Sequence, residues 1–113
     1  MYKLFGIPNC DTVKKARTYL EKNNIDYEFV DFKKSPPTSD LIESWSKKFP
    51  GLPVNTKGTT YKKYKEEYEK MTDSKKVAFL CSNPSMIKRP ILMKAKTTLS
   101  FGFDSDNYDS ILG

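Results

Sequence analysis

The chain has 113 residues, 37% of them hydrophobic and 13% aromatic, enough for one modest core and too few for two comfortable domains. Lysine and arginine outnumber aspartate and glutamate by 20 to 14, a formal charge of +6 that attracts anions as a class, whether oxyanions, glutathione, an acidic protein face or nucleic acid. Histidine is absent, which excludes a histidine general base and any histidine-containing metal site, and no metal is expected.

Tyr2 to Ile7 reads as a short strand, followed from Asp11 to about Asn24 by a helix with Val13, Ala16 and Leu20 along one face. Residues 27–32 carry apolar groups on both sides, as in a strand covered on two faces. Strand, helix and strand at this length imply a βαβ unit with parallel strands. After a linker at residues 33–37, Thr38 or Ser39 caps a helix whose stripe is Leu41, Ile42, Trp45 and Phe49, stopped by Pro50-Gly51-Leu52-Pro53. Trp45 reads as core.

A polar loop at residues 55–60 precedes a helix with Tyr61, Tyr64, Tyr68 and Met71 at helical spacing. Its lysines, Lys62, Lys63, Lys65 and Lys70, interleave with the aromatics, a pattern also found where proteins bind single strands. The lysines alternate with Glu66, Glu67 and Glu69 on the solvated face while the tyrosines fall on the core stripe, so nucleic acid is not the expected partner. Asp73 or Ser74 caps a further helix through Val77, Leu80 and Cys81, ending near Asn83-Pro84. Residues 91–93 and 98–101 read as an antiparallel hairpin, and a last helix from Asp104 carries Tyr108, Ile111 and Leu112. The expected architecture is α/β in a single domain. Residues 1–34 and 88–113 form a thioredoxin-like part (βαβ…ββα, a four-stranded mixed sheet), and residues 35–87 an inserted all-helical segment. Pro90, just before the third strand, is either a cis proline facing Cys10 or an ordinary trans proline opening an edge strand.

Cys10 and Cys81 are the only cysteines, far apart and without a Cys-x-x-Cys pair, which suits a reducing cytoplasm better than a secreted disulfide scaffold. No apolar run approaches the ~20 residues of a membrane span, and no targeting segment is visible. Cys81 lies on the apolar side of its helix and is expected to be buried. Cys10 stands at a strand-to-helix junction, where orphan N–H groups and the aligned peptide dipoles stabilise an anionic sulfur. Lys14, Lys15 and Arg17 add positive charge nearby and Asp11 opposes it. Many free cysteines are inert core residues, but Asn9 and Asp11 are poor company for one, and Gly6 and Pro8 shape a loop.

Cys10-Asp11-Thr12 at this junction, the loop Asn55-Thr56-Lys57-Gly58-Thr59-Thr60-Tyr61, the run Asn83-Pro84-Ser85-Met86-Ile87-Lys88-Arg89-Pro90-Ile91 and the closing Gly102-Phe103 together resemble the arsenate reductase-like (ArsC/Spx) family. Residues 6–17 and the loop at 55–61 are most similar to its YffB branch, regarded as glutathione-linked thiol reductases. The resemblance implies a Cys10 thiolate nucleophile and an oxyanion-holding Arg89, with Lys57 where a second basic group is usual. It also implies glutathione as co-substrate and resolving thiol, glutaredoxin as a partner, and a small oxyanion or thiol substrate, with no bound cofactor. Asn9, Thr12, Lys14 and Pro90 complete the expected substrate-binding set. Phe103 stands where the arsenate enzymes carry a third arginine. An ammonium lacks the two-pronged grip of a guanidinium and a benzyl group has no donor, so these departures weigh against efficient arsenate reduction and leave thiol exchange intact. The Spx branch binds RNA polymerase and often carries Cys-x-x-Cys here; Val13 occupies the fourth position in this chain. A regulator of that kind without a vicinal-cysteine switch is the alternative expectation.

Overall fold

The structure is a computed structural model that describes residues 2–48 and 52–112. It divides into two compact units, Met1–Lys34 with Arg89–Gly113, and Ser35–Lys88. Lys88, expected with the first part, belongs to the second because its N–H donates to the Pro53 carbonyl at 2.9 Å. Phe49 of the expected helix stripe and the Pro50-Gly51 stop lie outside the described residues.

In the first unit, β1 (Tyr2–Gly6), α1 (Asp11–Lys22) and β2 (Tyr27–Asp31) form the βαβ element, with β1 and β2 parallel. Strands β3 (Ile91–Lys94) and β4 (Thr97–Phe101) form an antiparallel hairpin, and the four strands lie in the order β2-β1-β3-β4. Strand β2 is therefore an edge. Its Tyr27, Phe29 and Val30 are half-buried, where two-sided cover was expected, because an edge strand has a neighbour on one side only. Leu4, at the centre of β1, pairs with Phe29 on one side and Leu92 on the other. It is sealed from solvent together with Ala16, Leu20, Leu92 and Tyr108.

Helix α1 buries Val13, Ala16 and Leu20, the expected stripe. It ends two residues early: Asn24 adopts a left-handed φ of 53°, and the N–H groups of Asn24 and Ile25 return to the carbonyls of Glu21 and Leu20. These two bonds satisfy carbonyls that a helix end otherwise leaves open, and asparagine is the residue after glycine best suited to that conformation. Helix α5 (Ser105–Leu112) is capped by Asp104, whose carboxylate accepts the Asp106 N–H at 3.1 Å. The Tyr19 hydroxyl of α1 donates to the carboxylate of Asp109 on α5.

Tyr108 is fully buried, and burial pushes its hydroxyl up to about 12, partly offset by the Ser100 hydroxyl. The folded chain then holds this proton more tightly than the unfolded chain, whose tyrosine titrates near 10. The stabilisation is complete below pH 10 and is lost as pH rises towards 12. Unfolding in urea is expected to show a stability loss of about 1 kcal/mol at pH 11 from this residue, and Tyr108→Phe to flatten the slope in that window.

The second unit holds α2 (Ser39–Lys48), α3 (Thr59–Glu69), α4 (Asp73–Ser82) and a short 3-10 helix, Pro84–Met86. An antiparallel bridge, Val54 with Ile87, is added to the helices. Thr38 caps α2, its hydroxyl accepting the Leu41 N–H at 3.2 Å. Thr72 caps α4, one residue before the expected Asp73 or Ser74. Thr72 has the extended backbone a cap needs and its hydroxyl accepts the Lys75 N–H, which leaves Asp73 in the first turn, where the dipole favours its charge. Helix α3 starts earlier than its aromatic pattern because the Gly58 carbonyl accepts the first helical hydrogen bond, from the Lys62 N–H. Ile42, Trp45, Leu80, Met86 and Ile87 are sealed in this unit.

Candidate active site

The turn from β1 into α1 depends on a close approach at its start. A Cβ on Gly6 would lie 2.8 Å from Cγ2 of the buried Val13, so only a glycine lets the strand end sit against the first turn of the helix. Between these two contacts the chain rises through Ile7, Pro8 and Asn9 to Cys10, whose N–H returns to the Ile7 carbonyl at 3.3 Å. Gly6→Ala is expected to cost about 1–3 kcal/mol by overpacking. The double variant with Val13→Ala should lose less than the sum of the two single changes, a coupling that a urea-unfolding cycle measures directly.

Cys10 is the N-cap residue of α1, with extended backbone (φ −90°, ψ 126°) and a carbonyl that accepts the Lys14 N–H at 3.0 Å. Its side chain makes no capping hydrogen bond, and the residue is half-buried at the end of the helix whose first N–H groups have no intrahelical partner. Cys81 is half-buried within α4, where full burial was expected, since one side of that helix turn remains open. Burial still pushes its thiol up, the opposite of what a nucleophile needs.

Strand β1 ends at Gly6 and pairs Phe5 with Ile91, the first residue of the antiparallel β3. Arg89 and Pro90, which lead into β3, therefore lie at the same end of the sheet as the loop that carries Cys10. The Arg89–Pro90 peptide is cis. Pro90 is buried and its carbonyl accepts the Gly102 N–H at 2.8 Å, while Arg89 is half-buried. Asn9 is exposed and Thr12 half-buried on either side of Cys10 in the chain, and Lys14 is exposed on the first turns of α1.

Arg17 does not join the positive charge expected near the thiol. Its guanidinium lies 4.3 Å above the Phe29 ring, and its Nε donates to the Tyr27 hydroxyl at 3.1 Å, which fastens it to β2. Lys57 belongs to the second unit, exposed in the loop before α3, with its N–H donating to the Asn55 side-chain oxygen at 3.3 Å.

Phe103 is an aromatic packing residue. Its ring meets Tyr108 edge-on at 4.8 Å and Tyr19 at 5.9 Å. It also floors a shallow groove of about 380 Å³ along α1, rimmed by Lys14, Lys15 and Lys22. This groove was not foreseen in the sequence. Lys15 and Lys22 are seven residues apart and so share a helix face, but Phe103 comes from the far end of the chain and no local pattern points to it.

Residues 5–111 match the ArsC family. The chain belongs to the ArsC family. Over their full lengths it is similar to the YFFB protein, at 33% identity and a TM-score of 0.87, in keeping with the branch expected from its motifs. A solution structure of an arsenate reductase (ArsC) related protein from Brucella melitensis is 33% identical, with a TM-score of 0.73 over 96% of this chain and 92% of that one. The global transcriptional regulator Spx of Streptococcus pyogenes is 28% identical over 99% of this chain and 85% of its own length. Arsenate reductase-like proteins and a transcriptional regulator are thus both among the relatives of this chain. Among the described residues, no helix of this member is long and apolar enough to cross a membrane, and no acidic or cysteine cluster could hold a metal ion.

Proposed function

We propose that this ArsC-family chain is a cytoplasmic thiol oxidoreductase whose nucleophile is the Cys10 sulfur and whose co-substrate is glutathione. The observation that carries this reading is the half-exposed thiol at the N-terminus of α1, uncommitted to capping. With a glutathione mixed disulfide as substrate, the Cys10 thiolate attacks the glutathione sulfur. A bond forms between the two sulfurs, the substrate S–S bond breaks, and the substrate leaves as a thiolate that takes a proton from water. A second glutathione thiolate then attacks the adduct, releasing glutathione disulfide and restoring Cys10. Substrate gains two electrons and the glutathione pool supplies them, with glutaredoxin as a protein partner in that supply.

Arg89 stabilises negative charge on substrate and leaving group, and Lys14 holds a glutathione carboxylate along the Phe103 groove. Asn9 and Thr12 complete the surface that meets the substrate, and the buried Pro90 supports the segment that carries Arg89. This chemistry draws on residues of the first unit. Phe103 brings no donor to the place where a small oxyanion needs one, whereas a tripeptide with two carboxylates suits a lysine-rimmed groove. Mass spectrometry after mild treatment with glutathione disulfide is expected to find one glutathione on Cys10 and none on Cys81. Equal labelling of both, or of neither, would overturn the reading.

The likeness to Spx favours a second reading, a regulator that docks on RNA polymerase. Val13, where a second cysteine would stand, is sealed against Gly6, so such a regulator would lack a vicinal thiol switch. Capture of polymerase subunits by a preparation that fails to take up glutathione would replace the first reading with this one.

A further inference from the structure

The helical unit contains a cavity of about 640 Å³ that thiol chemistry does not use. Tyr61 and Tyr68 form two of its walls, their rings 6.2 Å apart and inclined at 70°. Three carboxylates line it, Glu43 from α2, Glu69 from α3 and Asp73 from α4, against one ammonium, Lys76. The Tyr61 hydroxyl donates to Glu69 at 3.1 Å, which holds that carboxylate beside the rings. The Lys76 Nζ lies 5.3 Å from the centre of the Tyr68 ring, so the protein already lodges one ammonium of its own against this aromatic wall.

We propose that this cavity binds an aliphatic di- or polyamine. The two rings meet edge-on, and an ammonium that has shed its water is attracted to an aromatic face, as Lys76 already is to that of Tyr68. Among the described residues no three acidic groups gather closely enough to hold a metal ion. The carboxylates are instead distributed over three helices, and separated negative charges match a flexible ligand with separated positive ones better than a point cation. The excess of acid here is local, in a chain whose formal charge of +6 repels polyamines elsewhere.

Titration of the isotope-labelled full chain with spermidine at about 0.15 M salt, followed by NMR, tests the proposal. Saturable shifts are expected at Tyr61, Glu69, Asp73 and Val77, with no comparable response to magnesium ion or to butanediol, which carries no charge. Glu69→Gln and Asp73→Asn should each weaken binding about tenfold, while Glu66→Gln, outside the cavity, should leave it unchanged. Lys76→Met removes the competing ammonium and should tighten binding several-fold, a gain that misfolding cannot produce. An equal response to magnesium or butanediol, or an affinity indifferent to Glu69, Asp73 and Lys76, would overturn it. The outcome is independent of Cys10, which lies in the other unit.

Discussion

Replacing Cys10 with serine is expected to abolish glutathione uptake while leaving the fold as stable as before or slightly more so. A hydroxyl is a far weaker nucleophile than a thiolate at neutral pH, and with no histidine in the chain no imidazole base is present to activate it. The rate of mixed-disulfide formation should fall by at least about a thousandfold. Cys81 cannot compensate, because burial raises its thiol and leaves little thiolate. At the same time serine is a preferred N-cap, and Cys10 occupies that position without a side-chain cap bond. The variant should therefore gain about 0.5–1 kcal/mol in urea unfolding. Stopped-flow thiol exchange and a denaturation curve on the same sample measure both. Undiminished exchange in this variant would remove Cys10 from the chemistry, whatever happens to stability.

The largest loss of stability is expected from Trp45→Ala. Trp45 is the single tryptophan, fully buried on α2, and that helix packs on α4. Truncation removes the largest sealed side chain and leaves a void that its neighbours fill only in part, at a cost of about 3–5 kcal/mol. Trp45→Phe should lose much less because it keeps most of the apolar volume. Circular dichroism in urea gives the midpoints, and an unchanged slope in both variants would show that the loss is one of stability and not of cooperativity. A loss below about 1 kcal/mol for the alanine variant would mean that the helical unit does not depend on this residue for its core.

Several local features were legible because their causes lie within a few residues of one another. Val13, Ala16 and Leu20 share a face through the helical repeat alone, and all three are buried. The polar turn after Met93 joins two apolar runs into the observed hairpin, and the step from strand to helix at residues 6–11 placed Cys10 at a helix start. Where neighbouring residues competed for one role, local pattern was less reliable. Thr72 and not Asp73 caps α4, because the choice is made by which residue takes the extended backbone. The helix from Thr59 begins before its first tyrosine, since hydrophobic spacing marks where a helix packs and not where its hydrogen bonds begin.

By itself the sequence determined the kinds of chemistry open to this protein: one thiol at a strand-to-helix junction, a basic surface and no histidine. It also determined the order of elements, because turn residues and apolar repeats act over short distances along the chain. Tertiary structure alone decided where each charge lies. Arg17, close to Cys10 in the chain, is tied to Phe29 and Tyr27, and Arg89, far from it, enters the same sheet end through the pairing of β1 with β3. The acid-lined cavity that Tyr61 and Tyr68 help to wall likewise exists only when three helices bring their carboxylates together. Charge and burial are properties of neighbours in space, and folding chooses those neighbours from distant parts of the chain.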